Sequence, residues 1–402
     1  MSEGLTQQQR AAVENRGRSL LVSAAAGSGK TKVLVERLFS YVERDGADLD
    51  DFLIITYTRA AASELRGKIA RALSERLEND PTNARLQRQM LRVYRADIKT
   101  VDAFCTSLLR ENCHLLSEDE HGHTLRPDFR VLDESDAELL RRRTLSRVLD
   151  RFYDSLTDGD GGTLLADTLG AGRDDRGLSE LVLELYTKLQ AQPYAERWLA
   201  GQRERWEKLP QHVEDTPYGR VLLDEVGRKA RHWSRLLQNA AQQMQCNDAL
   251  NRKYAPLFLE VSGQLDALAA AAEISWDRAR GVGIVFPRLA AVKDADGGAM
   301  KQRMKNLWES CKASLRNVLG YFDATSAEAI DDLRTMAPAM LALLDLTADF
   351  ARAYQSEKRR RNAADFSDQE HEAIRLLTDE NGSPTELART VSQRYREIMV
   401  DE

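Results

Sequence analysis

The sequence predicts a mixed α/β fold: an incomplete parallel sheet carrying a large all-helical inserted subdomain. Over roughly the first hundred residues, short apolar runs alternate with amphipathic stretches, the pattern of parallel strands joined by crossover helices. From about residue 130 the strand signal fades and helical spacing takes over. The last stretch, ELARTVSQRYREIMVDE, again reads as a helix followed by a strand. The chain is therefore expected to start an α/β layer in 1–120, leave it for a helical insertion in 121–375, and return in 376–402.

The elements follow in order. SLLVSA (19–24) is short and apolar, as a buried strand is, and the glycines at 27 and 29 turn the chain into the amphipathic KTKVLVERLFSYV. DFLIITY (51–57) is the second expected strand, AAASELRGKIARALSERL its helix, and ADIKTVDAF (96–104) a third strand or turn. Helical spacing then runs through DAELLRRRTLSRVLDRFYDSL, GRVLLDEVGRKARHWSRLLQNA, PLFLEVSGQLDALAAAAEI and AMKQRMKNLWESCKASLRNVL, with loops rich in Gly and Asp between them. Trp198, Trp206, Trp233, Trp276 and Trp308 are expected as anchors of the helical core. The runs Arg141–Arg143 and Lys358–Arg361 read as solvated helix faces.

Composition narrows the function. Hydrophobic residues at 42% and charged residues at 30% describe a globular chain rather than a disordered one. A net charge of -6 excludes a uniformly basic nucleic-acid binder but leaves room for a local basic groove. No apolar run approaches the roughly 18 residues of a membrane span, and MSEGLTQQQR carries no signal-peptide pattern, so no membrane partner is expected. Cys105, Cys113, Cys246 and Cys311 lack metal or disulfide spacing and suit a reducing, cytoplasmic compartment.

The chemistry concentrates in Ala24-Ala25-Ala26-Gly27-Ser28-Gly29-Lys30-Thr31, between the first strand and its helix. Glycines let the backbone curl so that several N–H groups face one anion, and the helix start adds its positive dipole end. Lys30 is placed to reach the β/γ-phosphates of ATP and the Thr31 hydroxyl to ligate Mg²⁺. The pattern G-x-x-x-x-G-K-[ST] is met except at its first position, where Ala24 replaces Gly. Arg37, on the following helix, is counted among the nucleotide contacts. Ile398-Met399-Val400-Asp401-Glu402 fits the second acidic strand of a phosphate-loop NTPase, with Asp401 for Mg²⁺ and Glu402 to orient and deprotonate the attacking water. Lys30 and Glu402 are the candidate catalytic residues.

With these motifs in place, the sequence resembles the superfamily 1 DNA helicases of the UvrD/Rep type, which implies a RecA-like P-loop sheet. LTQQQRAAV (5–13) resembles that family's adenine-reading Q motif, with Gln9 in the glutamine position. TYTRAAASELRGKI (56–69) resembles motif Ia, implying single-stranded DNA contacts through Thr56, Tyr57, Thr58 and Arg59. IKTVDAFC (98–105) resembles the TxHSFC element, implying further DNA contacts at Thr100 and Phe104, with Asp102 standing where His is common. RPDFRVLDESDAELL, VFPRLAAVK and NAADFSDQEHEAIRLL look like the AddA component of the bacterial AddAB helicase–nuclease. That resemblance implies an ATP-driven 3′-to-5′ translocase acting on single-stranded and duplex-end DNA in double-strand break repair, an AddB-like partner, and a nucleoid-associated bacterial setting.

The resemblance also implies a second motor domain and a nuclease domain that this sequence does not contain. The chain is thus expected to be an N-terminal part cut inside its Walker B motif, binding nucleotide and DNA at best without unwinding. Two other readings stay open at this level: a regulatory P-loop ATPase, and a non-catalytic helical adaptor with a relic of the loop.

Overall fold

FLIIT, apolar along its whole length, becomes a strand buried at every position, as the central strand of a parallel sheet must be. The computed structural model describes residues 4–401 apart from 18, 26, 119–121, 170–175 and 293–297. Its strands are β1 (Phe52–Thr56), β2 (Asp97–Thr100), β3 (Arg130–Val131), β4 (Ala363–Ala364) and β5 (Glu397–Asp401). The first helices are α1 (Gln7–Glu14), α2 (Lys30–Arg44), α3 (Arg59–Asn79), α4 (Ala84–Arg92) and α5 (Val101–Asn112). The main sheet has the order β2–β1–β5, all parallel. Its register sets Thr56 opposite Thr100 on one side and Asp401 on the other, so the strands end level with one another.

Leu38, Phe39 and Val42 of α2 and Leu65 and Ile69 of α3 pack with Phe52, Ile54 and Met399 into one apolar core. A second cluster joins Cys105 and Leu108 of α5 to Ala373 and Val391. Burial pushes the Cys105 thiol up to about 11, consistent with a packing role for this side chain.

Two expectations about strands are corrected. Residues 19–25 join no helix or strand, and Leu21 is 91% exposed. An apolar run becomes a strand only where a neighbour supplies a ladder and a face to cover, and this run has neither. β5 forms as expected but is buried only at Met399; Ile398 and Val400 stand 58% and 64% exposed. β5 is an edge strand among the described residues; Ile398 and Val400 share one face of the sheet, and their exposure shows that among the described residues nothing covers that face at β5.

The chain divides into two compact units, one made of Met1–Asp150, Tyr186–Ala195 and Asp349–Glu402, the other of Arg151–Leu185 and Glu196–Ala348. The first unit is joined again well before 376. β4 pairs with β3, and the helix Phe366–Leu377 packs on α5, where Thr106 donates to Gln369.

A buried ionic cluster fixes this return. Lys358 Nζ lies 2.9 Å from Asp365 Oδ2 and 2.6 Å from Asp368 Oδ2, and Arg359 Nη2 lies 2.8 Å from Glu372 Oε1. Lys358 and Arg359 are therefore not the solvated charges their sequence run suggests, whereas Arg360 and Arg361 are exposed. Burial pushes the Asp368 carboxyl up to about 7, against the pull of Lys358.

The second unit is helical. Leu223, Val226, Ala230 and Leu237 of the helix Pro217–Gln243 meet Phe258, Val261, Leu265 and Leu268 of the helix Ala255–Ile274. Trp308, Cys311 and Leu315 of the helix Gly298–Leu319 complete that core. Trp276 and Trp308 are buried anchors; Trp198, Trp206 and Trp233 are half-buried.

Candidate functional site

The loop before α2 has the backbone the glycine spacing requires. Gly27 has φ 75° and Gly29 φ 86°, a left-handed region that side chains avoid. Gly29 is also the N-cap of α2 and offers no side chain to the first turn. The first-turn N–H groups of a helix have no partner within it, so here they remain for an external acceptor. Lys30 Nζ folds back on the loop, donating to Ala24 O at 3.0 Å and Ala25 O at 3.3 Å. Ala26 lies outside the described residues.

Across from the loop stands the end of β5. Thr31 Oγ1 donates to Asp401 Oδ2 at 3.3 Å, uniting two residues separated by 370 positions. Both are expected to serve one Mg²⁺, and both offer hard oxygens. Among the described residues no group of three or more His, Cys, Asp and Glu side chains gathers as a metal cage. This donor set suits a Mg²⁺ that takes one or two protein oxygens and its remaining ligands from phosphate and water. Left-handed glycines, an uncapped helix start, a lysine and a hydroxyl–carboxylate pair fit Mg-ATP together. Glu402 lies outside the described residues.

Gln9 is brought to the loop, its Nε2 donating to Ser28 O at 3.0 Å. Its Oε1 accepts from Thr6 N while Thr6 Oγ1 accepts from Gln9 N, a reciprocal cap on α1. The glutamine therefore both starts its helix and ties that helix to the loop.

Arg37 does something other than expected. It is buried, with Nε and Nη2 donating to Glu397 at 2.6 and 2.8 Å and Nη1 to Ala12 O at 2.6 Å. Tyr41 also donates to Glu397. Burial pushes the Glu397 carboxyl up, but the Arg37 and Tyr41 donors outweigh it and hold the group below its ordinary value. The guanidinium is spent on joining α1, α2 and β5, so it frames the site rather than facing a ligand. Glu397 is the member that sequence reasoning missed; only its place at the start of the acidic strand pointed to it.

The row at the strand ends continues toward β2. Tyr57 is 75% exposed and Arg59 is exposed. The hydroxyls of the neighbouring threonines are engaged locally. Thr56 Oγ1 donates to Thr58 O at 3.1 Å, Thr58 caps α3 through Ala61 N, and Thr100 caps α5 through Ala103 N. Phe104 packs with Cys105 and Leu108. Of the side chains expected to meet DNA, Tyr57, Thr58 and Arg59 are exposed, Thr58 with its hydroxyl turned to the start of α3, while Thr56 and Thr100 are buried and Phe104 is half-buried. No helix among the described residues is long and apolar enough to cross a membrane.

Comparison with known proteins gives a consistent set of relatives. The model of the UvrD/REP helicase N-terminal domain matches residues 5–402. The chain is 33% identical over 415 residues to the A component of the ATP-dependent helicase/nuclease of Acetivibrio thermocellus, covering 99% of this chain and 32% of that protein. It is 32% identical to the protein of the same name from Heliobacterium modesticaldum, covering 99% and 30% of the two chains. It is 33% identical to the one from Desulforudis audaxviator, covering 100% and 33%. The chain spans about a third of the length of the curated relatives it matches.

Proposed function

The chain belongs to the UvrD/REP helicase N-terminal domain family, and on that premise we propose that it is the ATP-binding part of a DNA helicase motor. The motor moves 3′ to 5′ along single-stranded DNA and opens duplex ends in double-strand break repair. The contact between Thr31 and Asp401 supports this reading best. A hydroxyl at a helix start and a carboxylate at a strand end, brought together beside the phosphate loop, offer two hard oxygens that suit Mg²⁺.

When bound, Mg-ATP supplies the phosphoanhydride whose hydrolysis drives movement. The loop N–H groups and Lys30 hold the phosphates, Lys30 leaving its contacts with Ala24 O and Ala25 O to do so. Thr31 and Asp401 hold the metal, and Glu402 orients and deprotonates the attacking water. Gln9 sets the base end of the site, and Arg37 acts through α1 and β5. On the DNA side Tyr57 stacks on a base and Arg59 meets phosphate, with Thr56, Thr58, Thr100 and Phe104 as their support. The sheet-bearing part is the RecA-like motor subdomain, and the helical segment within 121–375 is its insertion. An AddB-like partner completes the assembly in the bacterial cytoplasm, at the nucleoid.

Thermal melting of the chain tests the core of this reading. A ligand at 100 times its Kd stabilises by about 2.7 kcal/mol, so Mg-ATP is expected to raise the melting temperature. Lys30→Ala should abolish the rise, and Thr31→Val should remove its dependence on Mg²⁺. An equal rise in Lys30→Ala would count decisively against the site.

A further inference from the structure

The stretch GVGIVFPRLAAV (281–292) is poorly suited to a helix: Gly281 and Gly283 open it, and Pro287 disfavours helical backbone at Phe286 and offers no N–H. Residues 282–292 accordingly join no helix or strand. The segment is nevertheless pinned. Val285 N donates to Gln264 Oε1 at 2.8 Å, the Tyr254 hydroxyl to Ala290 O at 3.0 Å and Lys253 Nζ to Ala291 O at 2.8 Å. Between this segment and the helix Gly298–Leu319 lies a groove of about 330 Å³. Its floor is apolar: Phe286 stands edge-on to Trp308, with ring centroids 5.3 Å apart, and both line the groove with Pro287.

The donors at this groove lack acceptors. Between the pins, the backbone N–H groups of Phe286, Arg288 and Leu289 have no hydrogen-bond partner among the described residues. Trp308 is 2% exposed, yet its indole N–H is also unpartnered among the described residues. Trp233, by contrast, donates to Ser314 Oγ at 3.0 Å and Trp276 to Ala324 O at 3.0 Å, as buried indoles ordinarily do. Three cations line the same groove, Arg288, Lys305 and Lys312. Among the described residues none of them has a carboxylate within 4.0 Å or a hydrogen-bond partner. Lys305 and Lys312 are half-buried, so they lose hydration without gaining a counter-charge. The one carboxylate on the rim, Glu309, is exposed and pairs with neither.

We propose that this groove docks an acidic peptide segment of a partner protein, laid along residues 286–289 with one apolar or aromatic side chain on the floor of Phe286 and Trp308. Charge complementarity selects the acids. Lys305 and Lys312 are two helical turns apart, about 10 Å at 1.5 Å per residue. An extended peptide advances about 3.3 Å per residue, so carboxylates two to four residues apart reach both. The Arg288 guanidinium offers a planar fork to a further carboxylate. The free backbone N–H groups select a peptide, whose main chain supplies acceptors at the spacing of an added strand. The apolar floor selects a side chain between the acids, since a chain of charges alone leaves the two rings uncovered. Glu309 opposes a polyanion of unbroken charge but accepts readily from a peptide N–H.

The test is fluorescence anisotropy with the whole 402-residue chain and a labelled synthetic peptide carrying aspartates on both sides of one phenylalanine. Salt is held at about 50 mM, where surface charges are little screened. The wild type is expected to bind this peptide. Arg288→Gln/Lys305→Gln/Lys312→Gln should weaken binding about tenfold, the product of three ion pairs of ordinary surface strength. Alanine in place of the peptide's phenylalanine should also weaken it about tenfold, the loss of one covered aromatic ring. Glu309→Gln removes the one opposing charge at an exposed position, should tighten binding roughly twofold, and decides the matter if the triple variant fails to fold. No binding of the peptide, equal affinity for the alanine peptide, or an unchanged Glu309→Gln together with an unchanged triple variant overturns the proposal. A DNA duplex that displaces the labelled peptide as well as unlabelled peptide does at equal charge also overturns it, since the groove would then read charge alone.

Discussion

Replacing Arg37 with methionine removes the charge at the centre of the frame while keeping much of the side-chain volume. Arg37 is 7% exposed and Glu397 23%. The change deletes two charge-assisted hydrogen bonds to Glu397 and one bond to Ala12 O, leaving the carboxylate with the Tyr41 hydroxyl alone. Breaking a buried ion pair from one side costs about 3–5 kcal/mol. Glu397 keeps some solvent, so the lower end applies: about 3 kcal/mol, or roughly 100-fold in a local opening equilibrium. Hydrogen exchange read by mass spectrometry suits a chain of two units, because it reports each segment separately. Protection is expected to fall roughly 100-fold over 7–14 and 397–401 and to hold within Ala255–Ile274. Arg37→Met/Glu397→Leu should lose less than the single variant, having no stranded charge. A loss below about tenfold in the single variant, or simple additivity in the double, would refute the framing role.

Other expectations concern the proposed DNA contacts and the buried ions. Tyr57→Ala should weaken single-stranded DNA binding by about 5- to 150-fold, the range of one base stacked on an aromatic ring, without changing the melting temperature; unchanged anisotropy titrations would remove Tyr57 from the interface. Asp368 has a folded value of about 7 against an ordinary 3.8. The folded chain therefore holds a proton that the unfolded chain has released, and this contribution to stability is lost as pH rises from about 4 to about 7. Exchange protection of the helix Phe366–Leu377 should fall across that window in the wild type and fall less in Asp368→Asn; parallel pH profiles would show that Asp368 does not titrate there. Lowered Asp365 acts with the opposite sign, in the window below its ordinary value.

The parts of this site that can be read from sequence are those whose chemistry is local. A lysine and a threonine after closely spaced glycines announce a phosphate loop because the backbone geometry and its ligand groups lie within a few residues. Asp401 can be named as the partner of Thr31 because a short apolar run ending in acids has few other uses in an α/β layer. What escapes is long-range. SLLVSA and IMV look alike as apolar runs, and nothing local says that one lacks a ladder while the other has a neighbour on one side only. Arg37 looks like a ligand contact because its mate, Glu397, is far along the chain. Lys358 and Arg359 look solvated because a charge run carries no sign of the Asp365, Asp368 and Glu372 carboxylates that bury it. β3 and β4, at two residues each, are too short to show a period.

The outer edge of β5 has a practical consequence. Among the described residues it presents unpaired backbone groups, with the apolar Ile398 and Val400 exposed on one face, and it carries no lysine, proline or bulge to discourage pairing. Such an edge is a template as much as a boundary, open to a strand from another molecule. Self-association of the isolated chain through this edge is therefore expected to rise with concentration. Light scattering measured alongside each titration will separate a true ligand response from self-association.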